Sequence, residues 1–293
     1  VTSPFKIEGP AVISFSGGRT SGLMLRLILD AHDGRLPDDV HVLFANTGKE
    51  REETLDFVAD VERHWNVRII WAERRVTGTR PLKNGKTRLV IRAQEVDYAS
   101  AARKGEPFVT LIRNRNFLPN PVSRFCTQEL KIRVMRQWML MRSYTRWTNV
   151  VGLRADEPHR VLKQRASRER TRWEVVHPLY EAGITKDDVA AFWADQSFDL
   201  RLQPWEGNCD LCFLKGLSRK LRIIRDRPDL ADWWRERERE LVGVLKPTAA
   251  RFRKDQPSYD QMLRMVEQQP LLPGSTDVPD LVEDDSIDCF CTN

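Results

Sequence analysis

Cysteine is scarce. The 293 residues contain only five, unevenly placed, which excludes a secreted disulfide framework and leads us to expect a reducing, cytoplasmic setting where thiols serve as metal ligands or nucleophiles. No run approaches the roughly 20 apolar residues of a membrane span, and the N-terminal residues lack the basic-then-apolar signature of a signal peptide. A soluble protein without a membrane partner is expected. The five histidines, His32, His41, His64, His159 and His177, show neither zinc nor triad spacing and are read as structural. Solenoid-period repeats are missing. The one low-complexity tract, RERERE at Arg235 to Glu240, places opposite charges at helical spacing and predicts an exposed helix. A formal charge of +6 is a modest excess, fitting an anionic nucleotide and permitting nucleic acid without demanding it.

What is present is concentrated in Ala11 to Leu29, AVISFSGGRTSGLMLRLIL. Ala11 to Ser14 form a short apolar run of the kind that fills a buried parallel strand, and a polar, glycine-bearing turn leads from it into a helix. Gly17 and Gly18 let the backbone approach a ligand closely, while Ser16, Thr20 and Ser21 offer hydroxyls beside free amides. A helix N-terminus with these neighbours is a phosphate cradle. The stretch has neither the closing Gly-Lys-Ser/Thr of a P-loop nor the G-x-G-x-x-G of a dinucleotide site.

Further along, Val40 to Phe44 reads as a second strand, followed by Asn46-Thr47-Gly48 and an amphipathic helix from Glu52 to Trp65; Val67 to Trp71 reads as a third strand. This alternation predicts a parallel sheet whose ligands sit at the carboxyl ends of the strands. Residues 77–120 show no clear period and are expected to form a long loop or insertion, in which the cations between Arg74 and Arg92 make either an anion-facing flap or a solvated surface. A helix with Met135, Trp138 and Met139 on its buried side, a strand ending in Gly152-Leu153-Arg154, and a helix capped by Thr185 follow. Helices are also expected from Trp233 to Leu245 and from Tyr259 to Val266. Core packing is the default for the nine tryptophans, with Trp205 closest to a cysteine pair. Cys209-x-x-Cys212 by itself fits zinc, a redox pair or an iron–sulfur site.

Ser16-Gly17-Gly18-Arg19-Thr20-Ser21 resembles the PP-loop, SGGxxS, of the ATP pyrophosphatases and of the phosphoadenosine phosphosulfate (PAPS) reductase family. The rest of the order agrees. Thr47-Gly48 with Glu53-Thr54 is similar to that family's TG…ET turn and helix, and Cys126 to Lys131 resembles its Cys-x-x-x-x-Lys segment. Gly152-Leu153-Arg154 resembles its G-x-R strand end, Pro178-Leu179 with Asp188-Val189 its PL…DV helix, and Cys209-x-x-Cys212 its late cysteine pair. The resemblance covers about residues 12–216. It implies an α/β, Rossmann-like parallel sheet with helices on both faces. Residues 1–216 would form the nucleotide-binding domain and residues 217–293 a helical extension with a cysteine-containing tail.

By that resemblance Ser16, Gly17, Gly18, Thr20 and Ser21 hold the phosphates, and Asn46, Thr47 and Gly48 flank the adenosine. Lys131 and Arg154 would stabilise charge on the leaving group. The nucleotide would be ATP, with Mg²⁺ bridging its pyrophosphate, or adenylylsulfate (APS) or PAPS. Cys126, Cys209 and Cys212 match three of the four positions that hold a [4Fe–4S] cluster in APS reductases, with Phe125 in the remaining one. Zinc and unligated buried thiols stay open as alternatives, and the fourth ligand would be a tail cysteine, Cys289 or Cys291, or an open iron site. The tail lies where sulfonucleotide reductases carry a nucleophilic cysteine, but Glu283, Asp284 and Asp285 would raise a thiol pKa there. Three functions are expected: adenylation coupled to sulfur transfer, with nucleic acid as one possible acceptor; APS or PAPS reduction with a thioredoxin-like reductant; and a non-catalytic nucleotide or nucleic-acid-binding module.

Overall fold

A computed structural model of the chain describes residues 3–166, 172–203, 205–243 and 250–268. The central strand is β1 (Ala11–Phe15), flanked by β2 (Val40–Asn46) and β5 (Trp147–Val151) in parallel register, with Ala11 opposite both Val40 and Thr148. Outside them lie β3 (Ile69–Pro81) and β6 (Trp173–Val176), also parallel, and β4 (Thr87–Val96) closes one edge antiparallel to β3. The order is β4-β3-β2-β1-β5-β6. This is the expected α/β, Rossmann-like sheet.

The strands read as continuous apolar runs because both faces are covered. On one face Ile13, Phe15, Val42 and Phe44 pack with α1 (Arg19–Ala31), α2 (Glu52–Trp65) and α7 (Lys186–Ala194) through Leu25, Ile28, Phe57, Val58 and Trp193. On the other, Val12, Leu43, Ala45 and Ile70 meet Val134, Trp138 and Met139 of α4 (Arg133–Met141). Thr185 caps α7 in a reciprocal box with Asp188, as its position implied. Two short helices, α5 (Pro158–Ala166) and α6 (Pro178–Glu181), flank β6. No helix among the described residues is long and apolar enough to cross a membrane.

Residues 77–120 are not a structureless loop. The third strand runs on to Pro81, pairs with β4 as a ribbon, and leads to α3 (Glu106–Arg115). A ribbon solvated on both sides needs no apolar alternation, so its sequence carries no period. Helix α3 buries only Pro107, Phe108, Leu111 and Ile112, a short stripe that its arginines obscure.

Helices α8 (Leu217–Asp226), α9 (Leu230–Leu241) and α10 (Tyr259–Gln268) share an apolar cluster with α3 and the cysteine segment, built on Phe108, Leu111, Phe125, Leu130, Leu211, Phe213, Trp234, Phe252 and Tyr259. The expected helix through Leu245 ends in α9 at Leu241, and residues 244–249 lie outside the described residues. The RERERE tract is not wholly exposed. Arg237 and Glu238 are buried, the latter accepting hydrogen bonds from Phe252 N at 3.2 Å and Tyr259 N at 3.0 Å. Burying one acid of an alternating run is a tertiary demand for an acceptor that charge spacing does not encode.

The aromatic centre of this cluster and the base of the ribbon can each be tested. Trp234 is fully buried, its ring centroid 4.9 Å from that of Phe252 and 5.3 Å from that of Tyr259. Trp234→Ala should cost about 3–5 kcal/mol in urea unfolding; an effect below about 1 kcal/mol would contradict this packing role. Glu73 is buried where β3 leaves the sheet. Desolvation raises its carboxyl above the ordinary value, against hydrogen bonds from Ala102 N and Asn46 and the charge of Arg75. The folded chain therefore retains a proton that the unfolded chain has lost, so this group's contribution to stability is present below pH 4.5 and declines as pH rises through the folded value. Measured against Glu73→Gln, the wild type should lose relative stability as pH increases from 4.5. A pH-independent difference would rule out the shift.

Candidate functional site

The carboxyl ends of β1, β2 and β5 place three loops side by side. After β1, Gly17 takes φ +75°, and a Cβ there would sit 2.7 Å from Thr54 Cγ2 of α2, so both torsion and space demand glycine. Gly18 caps α1. The Ser21 hydroxyl accepts from Ser16 N at 3.2 Å and Gly18 N at 3.3 Å and lies 3.0 Å from Ser16 Oγ. It thus braces the loop from within, while Arg19 points away from it to Asp199 at 2.7 Å and to the Leu200 carbonyl. Thr20 accepts from Arg154 Nη1 at 3.2 Å, which ties the first loop to the turn after β5.

The turn after β2 is buried. Asn46 Nδ2 donates to Glu73 Oε1 at 2.7 Å and to Ala102 O at 2.9 Å, and its Oδ1 accepts from Gly48 N at 3.0 Å. Gly48 has φ +78° and rests on Gly105, whose N–H donates to the Gly48 carbonyl at 2.8 Å. Thr47 donates from both N and Oγ1 to Glu50 Oε2, at 2.9 and 2.8 Å.

Both cations expected to face the nucleotide stand beside carboxylates. Lys131 Nζ is 3.6 Å from Glu50 Oε1. Arg154 is buried and bound to Asp156 at 2.9 Å, with Glu157 Oε2 at 3.7 Å. Burial would raise the Asp156 carboxyl, but its hydrogen bond with Arg154 and that residue's charge hold it below its usual value. Lys131 sits in a π-helical turn, Thr127–Ile132, which Cys126 precedes.

The cysteine pair is fastened to this edge by bonds that spacing alone did not predict. Asn208 Nδ2 donates to Ser16 O at 2.7 Å, Arg51 N donates to Asn208 O at 2.7 Å, and Asp210 N donates to Lys49 O at 3.0 Å. Glu50 and Cys209 therefore form an antiparallel bridge between the two segments, and Lys49 Nζ meets Asp210 Oδ2 at 2.6 Å. The residues missed are Asn208, Glu50 and Asp210. Their signal, an Asn and an Asp bracketing the first cysteine, is visible in the sequence but meaningless without its partner strand.

Cys209 and Cys212 are half-buried and hydrogen-bonded to each other, and Cys126 lies against the same apolar cluster. The bond to Cys212 lowers the Cys209 pKa, but desolvation and the carboxylates of Asp210 and Glu50 leave it above the ordinary value. Among the described residues no three His, Cys, Asp or Glu side chains are gathered as a metal-holding group. The donor chemistry nonetheless fits an iron–sulfur cluster: three thiols, two already adjacent, beside an apolar wall. Phe125 is buried in that wall with Arg115 4.8 Å over its ring, so the position that would supply a fourth thiol is a packing residue. Cys289 and Cys291 lie outside the described residues.

Arg74, expected as part of an anion-facing flap or a solvated surface, is instead buried. It is 3% exposed, and among the described residues its Nε and Nη1 have no hydrogen-bond partner. Desolvation lowers its pKa, and Arg133 and Arg115 lower it further against the opposing charge of Glu129. Trp205 serves as a platform, with the Arg222 guanidinium 3.4 Å over its ring. Two of the histidines make local packing contacts: His32 Nε2 accepts from Ile7 N at 3.0 Å, and His64 stacks on Phe198.

A family model for the phosphoadenosine phosphosulfate reductase domain matches residues 10–201. The chain is 30% identical over 224 residues to the uncharacterized nin region protein ORF290 of Escherichia phage lambda, covering 75% of this chain and 71% of that relative. It is also 48% identical over 65 residues to an uncharacterized protein of Methanocaldococcus jannaschii, a stretch covering 22% of this chain and 13% of that protein. The sheet, its glycine-bearing first loop and a match spanning more than half of the chain agree, and the protein belongs to the phosphoadenosine phosphosulfate reductase domain family.

Proposed function

We propose that the protein binds ATP across residues 16–21 and 46–48, and uses it to adenylate an acceptor that then receives sulfur. The observation carrying this reading is the fastening of residues 208–210 to both Ser16 and residues 49–51, which holds the cysteine pair beside the nucleotide loop. The intact Ser16-Gly17-Gly18 favours ATP over sulfonucleotides. In the first step an acceptor oxygen bonds to the α-phosphorus and the bond to the β-phosphate oxygen breaks, releasing pyrophosphate. Hydrosulfide, already at the sulfide level, then bonds to the activated acceptor carbon as the carbon–oxygen bond to AMP breaks.

In this scheme the glycine loop and the α1 N-terminus receive phosphate oxygens, and Thr20 holds the Arg154 guanidinium toward them. Lys131 and Arg154 exchange their carboxylate partners for phosphate as charge develops on the leaving group. Mg²⁺ bound with the nucleotide would neutralise charge on the departing pyrophosphate. Cys126, Cys209 and Cys212 are the ligands proposed for a [4Fe–4S] cluster, which when bound supplies iron able to hold a sulfide.

The family's name supports a second reading, sulfonucleotide reduction. Here the thiolate of Cys289 or Cys291 attacks the sulfate sulfur of APS or PAPS and expels the nucleotide, leaving an S-sulfonate that a thioredoxin-like dithiol reduces to release sulfite. The two readings part on products. AMP and pyrophosphate from ATP, with no sulfite from APS or PAPS, support the first; sulfite release abolished by Cys289→Ser or Cys291→Ser replaces it with the second.

Binding can be measured without knowing the acceptor. By calorimetry Arg154→Gln should weaken Mg·ATP binding ~10-fold or more, the worth of one charge-assisted hydrogen bond. Gly17→Ala should abolish binding, and unchanged affinity in both variants would refute the assigned loop. After anaerobic purification the protein should contain iron and labile sulfide, and Cys126→Ala, Cys209→Ala and Cys212→Ala should each lose most of both while keeping the far-ultraviolet dichroism. Iron-free wild-type protein would eliminate the cluster.

A further inference from the structure

The β3–β4 ribbon has a composition unlike the rest of the surface. Residues 74–94 contain seven cations, Arg74, Arg75, Arg80, Lys83, Lys86, Arg88 and Arg92, and no acid. That exceeds the formal +6 of the whole chain, so the remaining residues together are slightly acidic. Several surface arginines elsewhere are paired, as Arg103 is with Glu52 at 3.0 Å and Arg113 with Glu240 at 2.7 Å. On the ribbon Arg75 pairs with Glu73, whereas among the described residues Arg80, Lys83, Lys86, Arg88 and Arg92 form no ion pair.

The strand register makes this costly in isolation. Arg75 stands directly opposite Arg92 and Arg80 opposite Arg88, and like charges facing across a strand pair repel. The ribbon is nevertheless paired to its tip past one register shift between Val76 and Gly78, with Pro81 paired to Thr87 and Leu82 N donating to Lys86 O at 2.7 Å. Every residue from 77 to 88 is exposed. Cations on the outer strand would suffice to block edge pairing. They do not account for matched cations on both strands, which a polyanion lying along the ribbon would neutralise.

We propose that this ribbon is a docking surface for duplex DNA, seated in the major groove with its cations on the flanking phosphates. Beyond the last β2–β3 pair, Asn46 with Glu73, the sheet narrows to two strands. Two strands lie about 4.8 Å apart, and the B-form major groove, about 12 Å wide, admits such a ribbon. The major groove of A-form RNA is too narrow for it. The Asn46–Glu73 pair also marks the margin of the candidate nucleotide site, so a duplex on the ribbon would run beside that site. The inference does not depend on the chemistry proposed there.

The test uses the full chain and fluorescence anisotropy with a labelled random-sequence DNA duplex, titrated at several salt concentrations. The probe variant carries Arg80→Gln, Lys83→Gln, Lys86→Gln and Arg88→Gln together. Wild type should bind at low salt, and the variant should bind at least ~10-fold more weakly. Its plot of log affinity against log salt should flatten by about 3–4, since each neutralised phosphate contributes about 0.9. Arg80→Lys with Arg88→Lys should retain the wild-type slope. Mg·ATP affinity should be unaltered in both variants, and the thermal stability of the four-residue variant should be no lower than that of wild type, since it relieves the Arg80–Arg88 repulsion, separating this surface from the nucleotide site and from loss of fold. Absence of duplex binding by wild type, an unchanged slope in the four-residue variant, or tighter binding to duplex RNA or anionic vesicles than to DNA would each overturn the proposal.

Discussion

The buried ion pair between Lys49 and Asp210 is the constraint on which the arrangement of the site rests. Its charged atoms are 2.6 Å apart, with the two side chains 9% and 4% exposed. Neither charge would be tolerated alone at that depth, and removing one partner of such a pair typically costs about 3–5 kcal/mol. Each end is anchored further. Asp210 accepts Trp234 Nε1 at 2.7 Å and Leu211 N at 2.6 Å, while Lys49 Nζ lies 4.9 Å over the Trp233 ring. The pair therefore joins the turn after β2, the cysteine segment and helix α9.

Around this joint the cations of the candidate site are already matched. Lys131 faces Glu50, Arg154 faces Asp156 and Glu157, and Arg51 meets Glu53 and Glu206, each at 3.1 Å. A site organised in this way keeps its cations positioned without leaving them desolvated and uncompensated. Under the proposed function an incoming phosphate would replace a carboxylate, so that its binding would be an exchange of partners. The ribbon represents the opposite regime, in which exposed cations are left to solvent and to whatever polyanion meets them.

Much of the nucleotide side was legible from sequence because its determinants are local. Gly17 answers to its own torsion and to Thr54 beneath it, and Thr185 caps the turn it begins. The strand runs are apolar on both faces because helices cover both. The ribbon was not legible, since a strand pair solvated on both faces leaves no periodic trace. Neither was the burial of Arg237 and Glu238 within Arg235 to Glu240, where Glu238 is drawn inward by the amides of Phe252 and Tyr259.

The sequence by itself determined the alternating strands and helices, the glycine-bearing loop after β1 and the order of motifs that marks the family. Each follows from torsional preference, apolar periodicity or a short run of residue types. Only the tertiary structure decided what those motifs touch. Asn208 reaching Ser16, Asp210 reaching Lys49 and Arg154 reaching Thr20 join residues more than a hundred positions apart, and the geometry of such contacts depends on how the sheet edge closes.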